Sequence, residues 1–236
     1  MCEISENQDF ERAWLAKFST SLDAIAGEEI RNAVMLGSEN LSSRSSPREI
    51  IAWSKGAMER LDSLVGEQDR KAVMAACACQ YPKSDLQPVR ERYEATRDVD
   101  LAHRMLQEQF ESFLRNSLGL SDELIADIVQ RGWGAAGVKQ GHTIIATKIP
   151  KSGYLVQYMQ EPDPQKKRQY YCHRPRIRDV LENSGTISPT YCYCGAGFYK
   201  GIWEEILQKP VEVEVLETIL KGDGVCKIAI HLPSDA

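Results

Sequence analysis

Apolar side chains between Phe10 and Ile25 return every third or fourth position, as Phe10, Trp14, Leu15, Phe18, Leu22 and Ile25. That spacing gathers them on one face of a helix. The segment 37–47, GSENLSSRSSP, breaks the period with serines and ends in proline, which predicts a linker. Ser46 before Pro47, with Glu49 following, has the form of a helix start. Helical spacing runs from there to about Met74, interrupted near Gly66. A long amphipathic helix is predicted over Val99 to Leu118, through Leu101, Met105, Leu106, Phe110, Phe113 and Leu114. Ser121 with Glu123 opens another, ending near Gly132.

After Trp133 and Gly134 the period changes. HTIIATKI (His142 to Ile149) and YLVQYM (Tyr154 to Met159) are β-branched or aromatic runs on either side of Pro150 to Gly153, and they predict a hairpin. QYYCH (Gln169 to His173) reads as a third strand after the turn-like EPDPQ. Helices are expected at about Arg176 to Glu182 and Phe198 to Leu207, then strands over Val211 to Leu220 and Val225 to Leu232. Helices gathered ahead of a largely antiparallel sheet with two short helices define an α+β fold. The expected organisation is an amphipathic helical segment over 1–36, a Ser-rich linker over 37–47, a helical subdomain over 48–135 and an α+β domain over 136–236. The last is packed with the helical part as one core.

The 236 residues suffice for one sizeable core, and 42% hydrophobic with 27% charged residues is ordinary globular usage. With 29 Lys and Arg against 34 Asp and Glu, the net charge of −5 argues against a general affinity for nucleic acid or anionic membrane. Glu3, Glu6 and Asp9 leave no apolar leader at the start, and no apolar run approaches the roughly 20 residues that span a bilayer. A cytoplasmic location is expected, with a small-molecule ligand as partner, no nucleic acid and no membrane; a homodimer is left open.

Seven cysteines, an odd number, make a disulfide framework the poorer explanation in such a chain and ligand or redox chemistry the better one. Read as extended chain, Cys192 and Cys194 point to one side and can grip one ion, with Tyr191 and Tyr193 opposite. Cys77 and Cys79 repeat the spacing before Pro82. With Cys172 and His173 they offer five thiols and an imidazole, a donor set suited to tetrahedral zinc or, as the lesser alternative, an iron–sulfur cluster. The plain alternative is that the thiols are small buried residues, and Cys226 is read that way. A third makes Cys172, beside His173, a nucleophile. Arg174 and Arg176 can hold a carboxylate or phosphate next to the thiols. Gly195 to Phe198 then forms a turn whose amides favour negative charge. The candidate ligand-binding residues are Arg174, Arg176, Tyr193, Gly195 and Tyr199.

From Tyr191 to Leu232 the chain reads YCYCGAGFYKGIWEEILQKPVEVEVLETILKGDGVCKIAIHL. Gly197 with Phe198 and Tyr199, the helix Ile202 to Leu207, Pro210 with Val211, Gly222 with Asp223, and Cys226 with Lys227 resemble the carboxy-terminal half of 4-vinyl reductase type small-molecule-binding domains. LETILKGDGVCKIAI is also similar to the carboxy end of the 2-amino-thiazoline-4-carboxylate hydrolases. The back half resembles an uncharacterised bacterial and archaeal family with the same CYCGAGFYKGIWEEI core. The first resemblance implies a sensor-like ligand-binding domain whose zinc is held by a Glu, a Cys eight residues before the last Cys, and that last Cys. Thr218 occupies the position eight before Cys226, so the set does not carry over; a zinc here would recruit Cys172, Cys192 and Cys194. The second resemblance implies a hydrolase that cleaves a C–N bond of a small cyclic amidine, through an attacking thiol or a metal-bound water.

Overall fold

The computed structural model describes residues 10–182 and 186–235. Cys2 lies outside them. Helix α1 (Phe10–Ala26) buries Trp14, Leu15, Phe18 and Leu22 on the face set by their spacing, and α2 (Glu28–Met35) follows across Gly27. Turns fill the Ser-rich stretch up to α3 (Pro47–Leu64). The start of α3 is fixed as its sequence predicts: the Ser46 side chain accepts from the Glu49 amide, Glu49 reaches back to Ser46, and Pro47 sets the first turn.

Helix α4 (Glu67–Ala76) is separated from α3 by Gly66. Then come α5 (Lys83–Thr96), α6 (Val99–Asn116) and α7 (Asp122–Gln130), the last capped by Ser121. Strands β1 (Val138–Gln140) and β2 (Thr143–Thr147) precede three short helices, α8 (Leu155–Gln160), α9 (Pro164–Tyr171) and α10 (Pro175–Glu182). The long α11 (Tyr193–Leu207) and strands β3 (Glu212–Glu217) and β4 (Lys227–His231) end the chain.

The fold is α+β, with a four-stranded antiparallel sheet in the order β1-β2-β4-β3. Cross-strand partners Ile144 with Ile230 and Ala146 with Ile228 form its buried face. They pack with Ile202, Trp203 and Ile206 of α11, and with Leu86, Val89 and Leu106 of α5 and α6. A second apolar cluster joins α1, α3 and α4 to Tyr158, Tyr171, Ile177 and Val180. Helix α11 runs between the two, against α4, α5 and β3. Gly197 permits that position, since a Cβ there would collide with the Ala75 carbonyl of α4.

Two strands expected from composition are helical instead. YLVQYM forms a 3-10 turn and α8, and QYYCH is the end of α9, with Cys172 as its C-cap. Strand β2 is paired with β1 on one edge and with β4, from far along the chain, on the other, so its ladder is complete without YLVQYM or QYYCH. Asp163 accepts from the amides of Gln165 and Lys166, and Pro164 sits in the first turn; that start directs QKKRQYY into a helix despite its aromatics. Helix α11 also begins five residues earlier than its apolar run suggests, so Cys192 and Cys194 lie at a helix start and not in a strand.

Candidate functional site

That change of period decides the site. Two residues apart on a helix is a rotation of roughly 200°, so side chains at such positions diverge. Cys192 Sγ lies 2.7 Å from the Thr218 hydroxyl, at the start of the 3-10 turn Ile219–Lys221. Cys194 Sγ turns the other way, 3.8 Å from the Cys77 carbonyl and 3.1 Å from Nη2 of Arg174. The same Nη2 is 3.2 Å from Cys79 Sγ. Cys77 is buried, its thiol donating to the Val73 carbonyl at 3.1 Å, and burial raises its pKa.

The thiols therefore fall into two sets. In one, a guanidinium lies between Cys79 and Cys194. In the other, Cys192 and Cys226 share Thr218, whose hydroxyl is 4.0 Å from Cys226 Sγ, and Cys172 stands close enough to bear on both electrostatically. Among the described residues no group of three or more His, Cys, Asp or Glu side chains is disposed to hold a metal ion. The zinc or iron–sulfur donors expected from sequence are thus spread out: Cys79 and Cys194 flank a fixed positive charge, Cys172 and Cys192 stand with Cys226, Cys77 donates to Val73, and His173 lies against the Ile149 carbonyl.

Both sets open into one large cavity of about 1350 Å³, above the usual range for ligand pockets. Phe110, Phe113, Met105, Phe198, Tyr199 and Ile177 supply apolar wall. Lys148, Lys151, Arg174, His173 and five thiols (Cys79, Cys172, Cys192, Cys194, Cys226) line it as well. Asp85 and Glu108 reach it from exposed positions on α5 and α6, whereas the cations come from the segments around α8 to α10. Polarity is thus uneven, with positive charge on the thiol side.

Tyr171 builds that side. Its hydroxyl donates to the Lys148 carbonyl at 2.5 Å and accepts from the Cys226 amide at 2.8 Å, fixing the end of β2 to the start of β4. Burial holds the phenol pKa well above its ordinary value. The Cys226 thiol is pushed down, first by a hydrogen bond from Cys192, with burial opposing and the charge of Lys148 assisting. Cys192 moves up correspondingly, first because it donates to Cys226 and then because it is half-buried. Burial raises Cys172, against the pull of Lys148. His173 binds the Ile149 carbonyl through Nε2 at 2.9 Å; burial first, then the charge of Lys148, lowers its imidazole to about 3. The residue as a whole is nonetheless exposed, so the neutral ring borders the cavity mouth.

Of the candidate ligand residues, Arg174, Gly195 and Tyr199 line the cavity. Arg176 does not. It is buried against Trp14, 4.1 Å from the ring centroid, and paired with Glu11 of α1. Tyr193 also turns away, with the Lys71 ammonium over its ring. Cys226, read as structural, lines the cavity; Lys148 is not among the sequence candidates, and Thr218 enters the sequence reading only as a departure from the resembled zinc ligands. The signal for Thr218 was its place eight residues before Cys226.

The fold and site together define an α+β protein with a large thiol-bordered cavity. A family model described as a family of unknown function (DUF6144) matches residues 163–235, the stretch that carries α9, Arg174, Cys192, Cys194, Thr218 and Cys226. No curated protein and no solved structure matches the chain. Among the described residues no helix is long and apolar enough to cross a membrane.

Proposed function

We propose that the protein binds a small amphipathic anion, with the apolar body among Phe110, Phe113, Phe198 and Tyr199 and the negative end towards Lys148 and Arg174. The single observation that carries this reading is the cavity of about 1350 Å³, lined by aromatic and aliphatic side chains, by polar ones such as Gln109 and Asn116, and by Lys148 and Arg174 beside the thiols. Apolar surface taken from water contributes about 25 cal/mol per Å², so a body of drug-like size supplies the affinity. A charge-assisted hydrogen bond of roughly 1.5–3 kcal/mol fixes the orientation. A metal has no part in the reading, because the thiols are divided around Arg174 and Thr218.

The test is thermal unfolding with a panel of medium-chain and aromatic carboxylates, each beside its neutral amide. Carboxylates should raise the melting temperature, a ligand at 100 times its Kd stabilising by about 2.7 kcal/mol. Lys148→Met should weaken the binding by about tenfold or more, the loss of one charge-assisted contact. Amides that stabilise as well as the acids, or a panel without effect, would remove the proposal.

A further inference from the structure

The binding reading leaves the pairing of Cys192 and Cys226 around Thr218 unused. These residues are far apart in sequence, one at the start of α11 and the other at the start of β4. Both sulfurs lie against the Thr218 hydroxyl, at 2.7 and 4.0 Å. Both line the cavity, so a molecule that enters it meets two thiols gathered around one hydroxyl. Such a pair closes to a disulfide once one sulfur is activated, because the second need not diffuse to it.

We propose that Cys192 and Cys226 form a dithiol that apolar organic hydroperoxides entering the cavity oxidise to a disulfide. This substrate class rests on the reading of the cavity as an apolar binding site.

Cys226 is the attacking thiol. It accepts the hydrogen bond from Cys192, and the positive charge of Lys148 faces it. Burial, Cys172 and Tyr171 face it too and oppose or flank that effect, and the Thr218 hydroxyl supports the anion. The Cys226 thiolate takes the terminal oxygen of the hydroperoxide. An S–O bond forms, the O–O bond breaks, and the alkoxide leaves and takes a proton from water as the alcohol. Cys226 is thereby oxidised by two electrons to the sulfenic acid, and the peroxide is reduced. Cys192 sulfur then attacks the Cys226 sulfur. The S–S bond forms, the S–O bond breaks, and the hydroxide departs with the Cys192 proton as water. Two thiols and one hydroperoxide give one disulfide, one alcohol and one water.

The test uses the full chain, reduced and freed of reductant under nitrogen, with one equivalent of cumene hydroperoxide or of hydrogen peroxide. Remaining thiols are blocked with N-ethylmaleimide, and the products are read by intact mass and tryptic mapping. Trypsin leaves Cys226 in the peptide 222–227, and Cys192 in 179–200 together with Cys194. Fragmentation between Cys192 and Cys194 assigns the bridge. The expected result is loss of two hydrogens, a Cys192–Cys226 bridge, and oxidation at least about tenfold faster than that of free cysteine. Cumene hydroperoxide should outpace hydrogen peroxide. Cys192→Ser should stop at a Cys226 sulfenic acid that dimedone traps. A bridge between Cys79 and Cys194, no bridge at all, or the rate of free cysteine would overturn the inference, and mapping the unsubstituted chain keeps this decisive if a variant fails to fold. Hydrogen peroxide reacting as fast as cumene hydroperoxide overturns the substrate class. Carboxylate-induced stabilisation is measured on the same preparation, so failure of the dithiol is separable from failure of the binding site.

Discussion

The Thr218 hydroxyl lies 2.7 Å from Cys192 Sγ and 4.0 Å from Cys226 Sγ, so one side chain behind the cavity wall touches two of the five thiols that line it. A hydroxyl that donates to a thiolate favours the charged form. Thr218→Val keeps the shape and removes the donor. The pH midpoint of Cys226 alkylation by iodoacetamide should therefore rise. The chain should lose about 1 kcal/mol of stability, the worth of an ordinary hydrogen bond. An unchanged midpoint would show that Cys192 alone sets the Cys226 thiol.

Gly197 faces the Ala75 carbonyl with no room for a Cβ. Backbone cannot yield as the end of a flexible side chain can, so Gly197→Ala must push α11 from α4. A loss of about 2–3 kcal/mol is expected, at the upper end for overpacking. The measurement is the urea midpoint. Gly195→Ala, where a Cβ meets no atom within 4 Å, is the control and should cost little.

Much of the frame was legible in the sequence. Ser46, Pro47 and Glu49 announce α3 by the cap they form, and the spacing of Trp14, Leu15, Phe18 and Leu22 gives the buried face of α1. The site was less legible, because it turns on period. Read with a period of two, Cys192 and Cys194 converge; at the start of α11 they diverge, towards Thr218 and towards Arg174. Three glycines, Gly195, Gly197 and Gly201, disguised that helix by lowering its local propensity. Arg176 was ambiguous for another reason. Beside Arg174 in sequence, it is captured by Glu11 and Trp14 from α1, which no local pattern reports.

Arg176 then carries a prediction of its own. Its side chain is 5% exposed and that of Glu11 is 13% exposed, so the pair has little water to screen it. Glu11→Gln leaves a buried guanidinium without its counter-charge, and a loss of about 3–5 kcal/mol is expected. Arg176→Met with Glu11→Gln should recover most of it, since the methionine fills the place over Trp14 and no lone charge remains. Ligand-induced stabilisation should persist in the double variant, because Arg176 does not line the cavity.

His173 makes stability depend on pH. Its imidazole falls from 6.5 to about 3 on folding, by burial and then by the charge of Lys148. Between those values the unfolded chain holds a proton that the folded chain lacks, so stability rises with pH across the window and falls as pH drops from about 6.5 towards 3. The side chain is exposed overall, which keeps the effect below that of a fully buried imidazole. His173→Gln preserves a donor for the Ile149 carbonyl without the titration. Urea midpoints at pH 7 and pH 5 should differ less in the variant than in the unsubstituted chain. An equal drop in both would assign the acid sensitivity to the carboxylates and leave His173 a spectator.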